Sequence, residues 1–396
     1  MKRLLSSALI ASLLLTPFAH AAPKKIAVKP LQLVANVGTP EDVSGVVASG
    51  KSLIIFGSKA SKAYARAVDI TGKELWNLSL DQSPASIATA AAVDSAGNIW
   101  IAGSTPLALG LITPTPSPTP INPDNAAVPP SSMVGNLQAV TIWKVTAAGV
   151  LAFTNTLPTS YVLFPTAISV DRNGVSIVGI LGNEKGQASF LVNTDIAGTF
   201  GKLLQIGSVS TTAEAVIRHT DGSFTVVGSS SETLGGKKLV GVTDGVLVKI
   251  SNSLKITNVV RSSATKGKRA WNSGSSTLLL GGEVFAGGKR ETAVTKFSSS
   301  YAPSWSYRFP STGPAKIAGS TYAVFISTGA TPQLNWNPKL PTPLLLTFDV
   351  KGTITAADSG PTGQSEVLGA LISKELGVLV VTSSAESVSI FTLNPR

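Results

Sequence analysis

From Val43 onward the chain alternates short apolar runs with clusters of turn residues. The clearest passage reads Thr89-Ala90-Ala91-Ala92-Val93-Asp94, then Ser95-Ala96-Gly97, then Asn98-Ile99-Trp100-Ile101-Ala102-Gly103-Ser104. After an interruption it resumes at 139–145, turns through Thr146-Ala147-Ala148-Gly149 and ends in 150–154. Short runs rich in Val, Ile, Thr and aromatic residues, bounded by Asp, Gly and Ser, predict strands. Asp-x-x-Gly and Asp-Gly between such runs predict tight turns, because Gly takes positive φ and Asp accepts backbone N–H groups. With 37 Gly and 24 Pro among these runs, a helical reading fails.

Four such runs, lettered A to D, make a unit, and the unit recurs. The first has A at 43–48, B at 52–56, C at 63–68 and D at 73–80. The third has 166–170, 175–180, 189–193 and 200–206, and the fourth 213–218, 223–227, 246–250 and 254–260. The fifth has 268–271, 277–280, 292–297 and 305–309, and the sixth 316–318, 322–327, 344–350 and 354–357. The seventh has A at 367–372, B at 378–382 and C at 387–393, but no D. A spare strand, 25–37, precedes the first unit. Four-stranded units at a period of roughly 45–50 residues predict an all-β, seven-bladed β-propeller of four-stranded antiparallel blades. The last blade is closed by the N-terminal strand, which leaves no free edge.

The stretch Ala67-Val68-Asp69-Ile70-Thr71-Gly72-Lys73-Glu74-Leu75-Trp76 resembles the repeat of quinoprotein-type (PQQ-like) propellers. The stretch from Ala92 to Gly103 resembles the repeats of bacterial secreted propellers of the SBBP and NHL-like kind. Both imply a propeller over nearly the whole mature chain and neither implies an activity. Trp76 and Trp305 match the D-strand Trp of the quinoprotein repeat, while Phe153 and Phe200 hold related places. The vicinal disulfide of the quinoprotein dehydrogenases needs cysteines, of which the chain has none, and no calcium-binding acidic cluster is evident. Quinone-dependent oxidation is therefore disfavoured, and no cofactor is expected.

The first residues change the setting. Lys2 and Arg3, the apolar stretch 4–18 and the small-x-small site Ala19-His20-Ala21 predict a signal peptide over 1–21, cleaved near Ala21. The remainder, 22–396, reads as one propeller domain, exported to the medium or cell envelope, without a transmembrane segment and as a monomer. With no Cys, its blades must hold by packing alone. Charged residues are only 13% of the chain, yet the net charge is +11, falling to about +9 without Lys2 and Arg3. That balance favours a protein partner or an anionic envelope polymer. Nucleic acid is not expected, because no aromatic stacking platform accompanies the charge.

Elaboration sits in the B–C connections at 104–138, 228–245, 281–291 and 328–343, which emerge with the D–A connections on one face. Within the insert 105–137, Thr113-Pro114-Thr115-Pro116-Ser117-Pro118-Thr119-Pro120 predicts an extended arm that a scaffolding role could use. Lys237, Lys238, Arg261, Lys266, Lys268, Arg269, Lys289 and Arg290 fall on or near this face on adjacent blades and form the candidate anion-binding patch. Trp336, in Gln333-Leu334-Asn335-Trp336-Asn337-Pro338, is the candidate aromatic contact, its alternative being a Trp folded over its own loop. Gly235-Gly236-Lys237-Lys238 and Gly287-Gly288-Lys289-Arg290 lack the strand–loop–helix context of a phosphate loop.

No catalytic or metal residues are assigned. The mature chain has one histidine, His219, in a predicted A–B turn on the opposite face, so neither a His/Cys zinc site nor a Ser-His-Asp triad fits. A carbohydrate-active hydrolase or lyase would need paired loop carboxylates, and Glu41, Asp81, Glu184, Glu232, Asp244, Glu283 and Glu291 are the candidates by position. Non-catalytic binding is the leading expectation.

Overall fold

A computed structural model of the chain describes residues 25–81, 85–107 and 137–393. The predicted signal peptide and nearly all of the Pro-rich insert lie outside the described residues. The described residues form seven sheets in sequence order, with no helix among them. Within each, strands A to D lie side by side and antiparallel, as in blade 4: Thr211–Arg218, Phe224–Ser230, Asp244–Ile250 and Ile256–Ser262. Seven apolar clusters fill the spaces between sheets, each drawn from two successive blades. One of them joins blade 7 to blade 1 through Val381, Ile390, Val43 and Ile55, so the ring is closed. The fold is a seven-bladed β-propeller of four-stranded antiparallel blades.

The repeated sequence words have distinct physical jobs. In Asp94-x-x-Gly97-Asn98-Ile99-Trp100, Asp94 accepts hydrogen bonds from the Ala96 and Asn98 amides at 3.0 and 2.9 Å. Gly97 takes φ +83°, and the Trp100 indole N–H closes back on Asp94 at 3.0 Å. The same turn, capped by Asp69, Asp195 or Asp349, joins strands C and D in blades 1, 3 and 6. The D-strand aromatics then link blades. Trp76 lies on Gly149 of the next blade and donates to the Ala147 carbonyl at 3.2 Å, while Trp305 lies on Gly352. A Cβ at either glycine would meet the indole at 2.5–2.6 Å, so the turn glycine and its Trp form one device.

A second glycine recurs within strand B. In five blades a Cβ at that position (Gly57, Gly103, Gly179, Gly228 or Gly282) would lie 1.9–2.2 Å from a carbonyl oxygen of the chain leading into, or along, strand A. The collision arises because strand A carries a β-bulge at that level in each of these blades.

The expectation of closure by residues 25–37 needs one refinement. That segment forms two short strands, β1 (Val28–Pro30) and β2 (Gln32–Asn36). β2 pairs antiparallel with Val388–Thr392 and supplies the missing fourth strand of blade 7. β1 instead adds a parallel fifth strand to blade 6, against Ala357–Ser359. Pro30 sits at the junction with buried Leu31, and the chain steps there from one sheet to the next.

Two further differences matter for the site. Residues 281–291, expected as a long loop, are mostly sheet: strand B runs Leu279–Ala286, strand C starts at Lys289, and Gly287-Gly288 turns between them with φ of +58° and +75°. Gly281 and Gly282 read as loop formers, but Gly282 serves the close approach of strand A. In blade 3 strand D is only Leu204–Ile206, and Phe200 lies before it, bridged to Thr194.

Candidate functional site

Antiparallel order puts the B–C and D–A connections of every blade at one end of the ring. At that end of blade 5, Lys268, Phe285 and Arg290 lie side by side in register across strands A, B and C. Phe285 is 46% exposed between two exposed cations, an unusual place for a Phe in a short hairpin. Two residues deeper, on the same face, Ala270 pairs with Glu283. Together with Thr243 of blade 4 and Arg269, these residues line a groove of about 290 Å³. The blade 4 wall is fixed by backbone: Thr243 bridges Lys268, and the Arg269 amide donates to the Thr243 carbonyl at 2.9 Å. On the same blade 4 loop, Val240 and Val242 are 71% and 50% exposed, and the Val242 amide donates to the Gly267 carbonyl at 2.7 Å.

The structure divides the eight basic candidates into two roles. Lys237 and Lys238 are exposed on the blade 4 loop, where Gly235-Gly236 makes a tight turn closed by reciprocal Leu234–Lys237 hydrogen bonds. Lys266, Lys268, Lys289 and Arg290 are also exposed. Arg261 is not part of this exposed surface. Its side chain is 6% exposed and is paired at 3.2 Å with Asp244, which is fully buried. It also donates to the Lys237, Ser230 and Glu232 carbonyls, so it anchors the loop that presents Lys237 and Lys238. Asp244 in turn accepts from the Val240 and Gly241 amides. Against the cost of burial, a hydrogen bond from Ser263, these two amides and Arg261 hold its carboxyl below the ordinary value.

Arg269 is the exception among the cations. Its guanidinium lies 4.4 Å over the Trp271 ring and donates to Thr295 Oγ1 at 3.2 Å. Its buried Nε has no hydrogen-bond partner. Burial, with the Arg308 charge nearby, lowers its pKa to about 10.

Four of the loop carboxylates are already engaged. Glu232 accepts from the Ser208, Val209 and Ser210 amides and from the Ser208 and Thr211 hydroxyls, which brings its pKa down to about 2 against the cost of burial. Glu283 pairs with Arg290 at 3.1 Å, Glu291 with Arg308 at 3.7 Å, and Asp244 with Arg261. Glu41 and Glu184 are exposed elsewhere on the ring, and Asp81 is half-buried. His219 sits at the opposite end, where its Nε2 and Thr225 Oγ1 are 2.7 Å apart and Thr225 reaches the Tyr301 hydroxyl at 2.6 Å.

Trp336 lies in blade 6, half-buried against the cluster that holds Trp305 and Tyr307. Ile26 packs there too, and its backbone pairs with Gln333 and Asn335 of the same loop. The structure thus joins Trp336 to the N-terminal segment, and it does not join it to the basic groove.

Sequence reasoning missed Phe285, although the adjoining Gly287-Gly288 was visible as a hairpin turn. It also missed a second groove of about 440 Å³ at the seam between blades 7 and 1, lined by Asp42, Lys62, Tyr64, Arg66 and Asn77 among others. There Arg66 donates to the Val37 carbonyl at 2.8 Å and faces Glu74 at 3.6 Å.

No protein-family model matches the sequence, and no curated protein does. Solved structures do match in fold. The WD40 domain of coronin from Toxoplasma gondii superimposes with a TM-score of 0.54 at 9% identity, over 94% of this chain and 90% of that one. A protein from Lactobacillus plantarum matches with a TM-score of 0.47 at 10% identity, over 81% and 85%. The class defined by fold is the β-propeller; identity this low speaks to architecture alone.

Proposed function

We propose that this protein is an exported, non-catalytic binding module of the cell envelope that holds an anionic partner, an acidic protein surface or an anionic polymer, on the B–C/D–A face of blades 4 and 5. The observation that carries the reading is the exposed Lys268–Phe285–Arg290 row, with the blade 4 loop that presents Lys237 and Lys238 tied to Lys268 through Thr243. An apolar anchor flanked by cations suits a partner that offers both negative charge and apolar contact. The engagement of Glu232, Asp244, Glu283 and Glu291 in hydrogen bonds and ion pairs supports binding over hydrolysis. Export is supported by the Lys2-Arg3 start, the apolar stretch and Ala19-His20-Ala21.

The test uses immobilised poly-L-glutamate and the native envelope fraction as probes. The variant Lys237→Gln, Lys238→Gln, Lys268→Gln, Lys289→Gln is expected to bind polyglutamate about tenfold more weakly, with a flatter salt dependence. Phe285→Ala is expected to reduce capture of the envelope partner while leaving the salt slope unchanged. Equal binding by both variants and the unaltered protein would retire the reading.

A further inference from the structure

The repeat makes the blades comparable position by position, and blade 1 breaks the pattern at one place. In five blades the strand B glycine pairs with a strand C residue turned toward the preceding blade: Tyr64, Thr141, Phe190, Val246 or Ala293. Two residues further along strand C stand Arg66, Trp143, Val192, Val248 and Thr295. All of these are buried except Tyr64 and Arg66. The wedge that packed side chains close in the other four is, between blades 7 and 1, the open groove of about 440 Å³. Its blade 1 wall is a single sheet face, with Lys59 on strand B, Lys62, Tyr64 and Arg66 on strand C, and Asn77 and Ser79 opposite them on strand D. Val37, Gly38 and Asp42 form the other wall. At the B–C end, Lys59 and Lys62 stand directly opposite each other across Ala60-Ser61. So tight a turn takes positive φ at both positions, and Ala60 and Ser61 adopt +49° and +62°. Blade 5 makes the same turn with Gly287-Gly288. Facing like charges and a turn without glycine are two local costs at one spot, and such costs persist where they position functional groups.

We infer that this seam groove is a binding site for an acidic saccharide, a polyhydroxylated ring that carries a carboxylate. Asp42 and Glu74 accept hydrogen bonds, while Lys62, Arg66 and the Asn77 amide donate them, so the walls suit hydroxyl groups, each of which does both. The volume lies in the range of about 300–1,000 Å³ usual for small-molecule sites. Tyr64 brings an apolar ring with a polar tip. Burial raises its phenol above the ordinary value, so the hydroxyl keeps its proton and can donate it to a guest. Lys59, Lys62 and Arg66 stand against two carboxylates, Asp42 and Glu74, and this balance sets the sign of the guest's own charge. Arg66 donates to the Val37 carbonyl and faces Glu74, so it ties the groove to the N-terminal segment. Lys62, Tyr64 and Asn77 are the residues assigned to the guest. The site stands apart from blades 4 and 5 and does not rest on the reading given for them.

The test is calorimetric titration and thermal melting with glucuronic acid, glucose and glutarate as probes, at constant ionic strength. Glucuronic acid should bind and raise the melting temperature by mass action. Glucose lacks the carboxylate and glutarate lacks the hydroxyls, so each should bind at least about tenfold more weakly. Asn77→Ala and Lys62→Gln should each weaken glucuronic acid about tenfold. Lys62→Gln also separates binding from folding. Removing one of two facing cations should leave the free protein melting at the same temperature or higher, whereas a lysine kept for the fold would lower it. The variant Lys237→Gln, Lys238→Gln, Lys268→Gln, Lys289→Gln should bind glucuronic acid normally, so the two sites stand or fall separately. Neither heat nor a melting shift with millimolar glucuronic acid would overturn the site. Equal affinity for glucuronic acid and glutarate would overturn the saccharide assignment. Binding that Asn77→Ala and Lys62→Gln both leave intact would put the sugar elsewhere on the molecule and overturn the groove.

Discussion

Gly228 has no room for a side chain. A Cβ there would lie 1.9 Å from the Thr212 carbonyl oxygen and 3.0 Å from the Ala213 Cα, both backbone atoms of a bulged strand that cannot swing aside. Gly228→Ala should therefore cost about 3 kcal/mol in urea unfolding, at the upper end of overpacking effects. Gly313→Ala, whose Cβ would meet nothing within 4 Å, should change stability by less than about 0.5 kcal/mol. Equal effects at the two positions would show that the bulged strand yields. This residue-scale logic was half visible in the sequence. Ile101-Ala102-Gly103 and Val226-Val227-Gly228 recur as words, and the Asp94 turn could be read as turn chemistry. The reason for the B-strand glycine could not be read, because the atom it makes way for belongs to another strand. Phe285 was hidden for a related reason: its exposure depends on where the Gly287-Gly288 turn falls, and the preceding glycines made that stretch look like loop.

At the scale of elements, the N-terminal segment behaves as a strap rather than as a single closing strand. Val37 is 1% exposed and Leu31 8%, so β2 and its flanks bury side chains worth about 1.5–3 kcal/mol each as an upper estimate. Ile26 and Val28 pack on the blade 5–6 cluster, and the Ile26 backbone pairs with the Trp336 loop. Removing residues 25–37 uncovers the edges of Ile354–Ser359 and Val388–Thr392 together. The truncated protein should melt well below the intact one and aggregate through those edges. A synthetic peptide of residues 25–37, added in trans, should recover most of the lost melting temperature. An unchanged melt without the segment, or no recovery with the peptide, would contradict the strap. The missing strand of blade 7 was legible from the repeat count alone. The step to blade 6 was not, since a three-residue parallel pairing leaves no periodic signal.

Across the whole molecule, the ionisable groups that stitch one element to another favour neutral over acid pH. Asp94, Asp171, Asp244 and Glu232 are held below their ordinary values by hydrogen bonds that outweigh burial, Glu232 to about 2 from 4.5. Such carboxylates contribute stability above their ordinary values, and that stability is lost as pH falls through the lowered ones. His219 acts in the same direction by a different route. Burial lowers its pKa below 6.5, so on acidification the unfolded chain takes the proton first and stability declines from about that pH downward. Glu214 opposes them: burial raises its pKa, so it destabilises the fold as it ionises toward neutral pH. The urea midpoint should therefore be highest near neutrality, fall modestly below pH 6.5, and fall steeply below pH 4.5. Glu232→Gln should flatten the lower limb and leave the upper one alone, because its five donors lose the charge that distinguishes folded from unfolded at low pH. Midpoints measured at pH 7, 5.5, 4 and 3 check this, and a Glu232→Gln curve parallel to that of the unaltered protein below pH 4.5 would refute it. The blade 4 loop is the part most exposed to this effect. Glu232 and the Asp244–Arg261 pair both lie beneath Lys237 and Lys238, so acid should loosen the presenting loop before the ring itself opens.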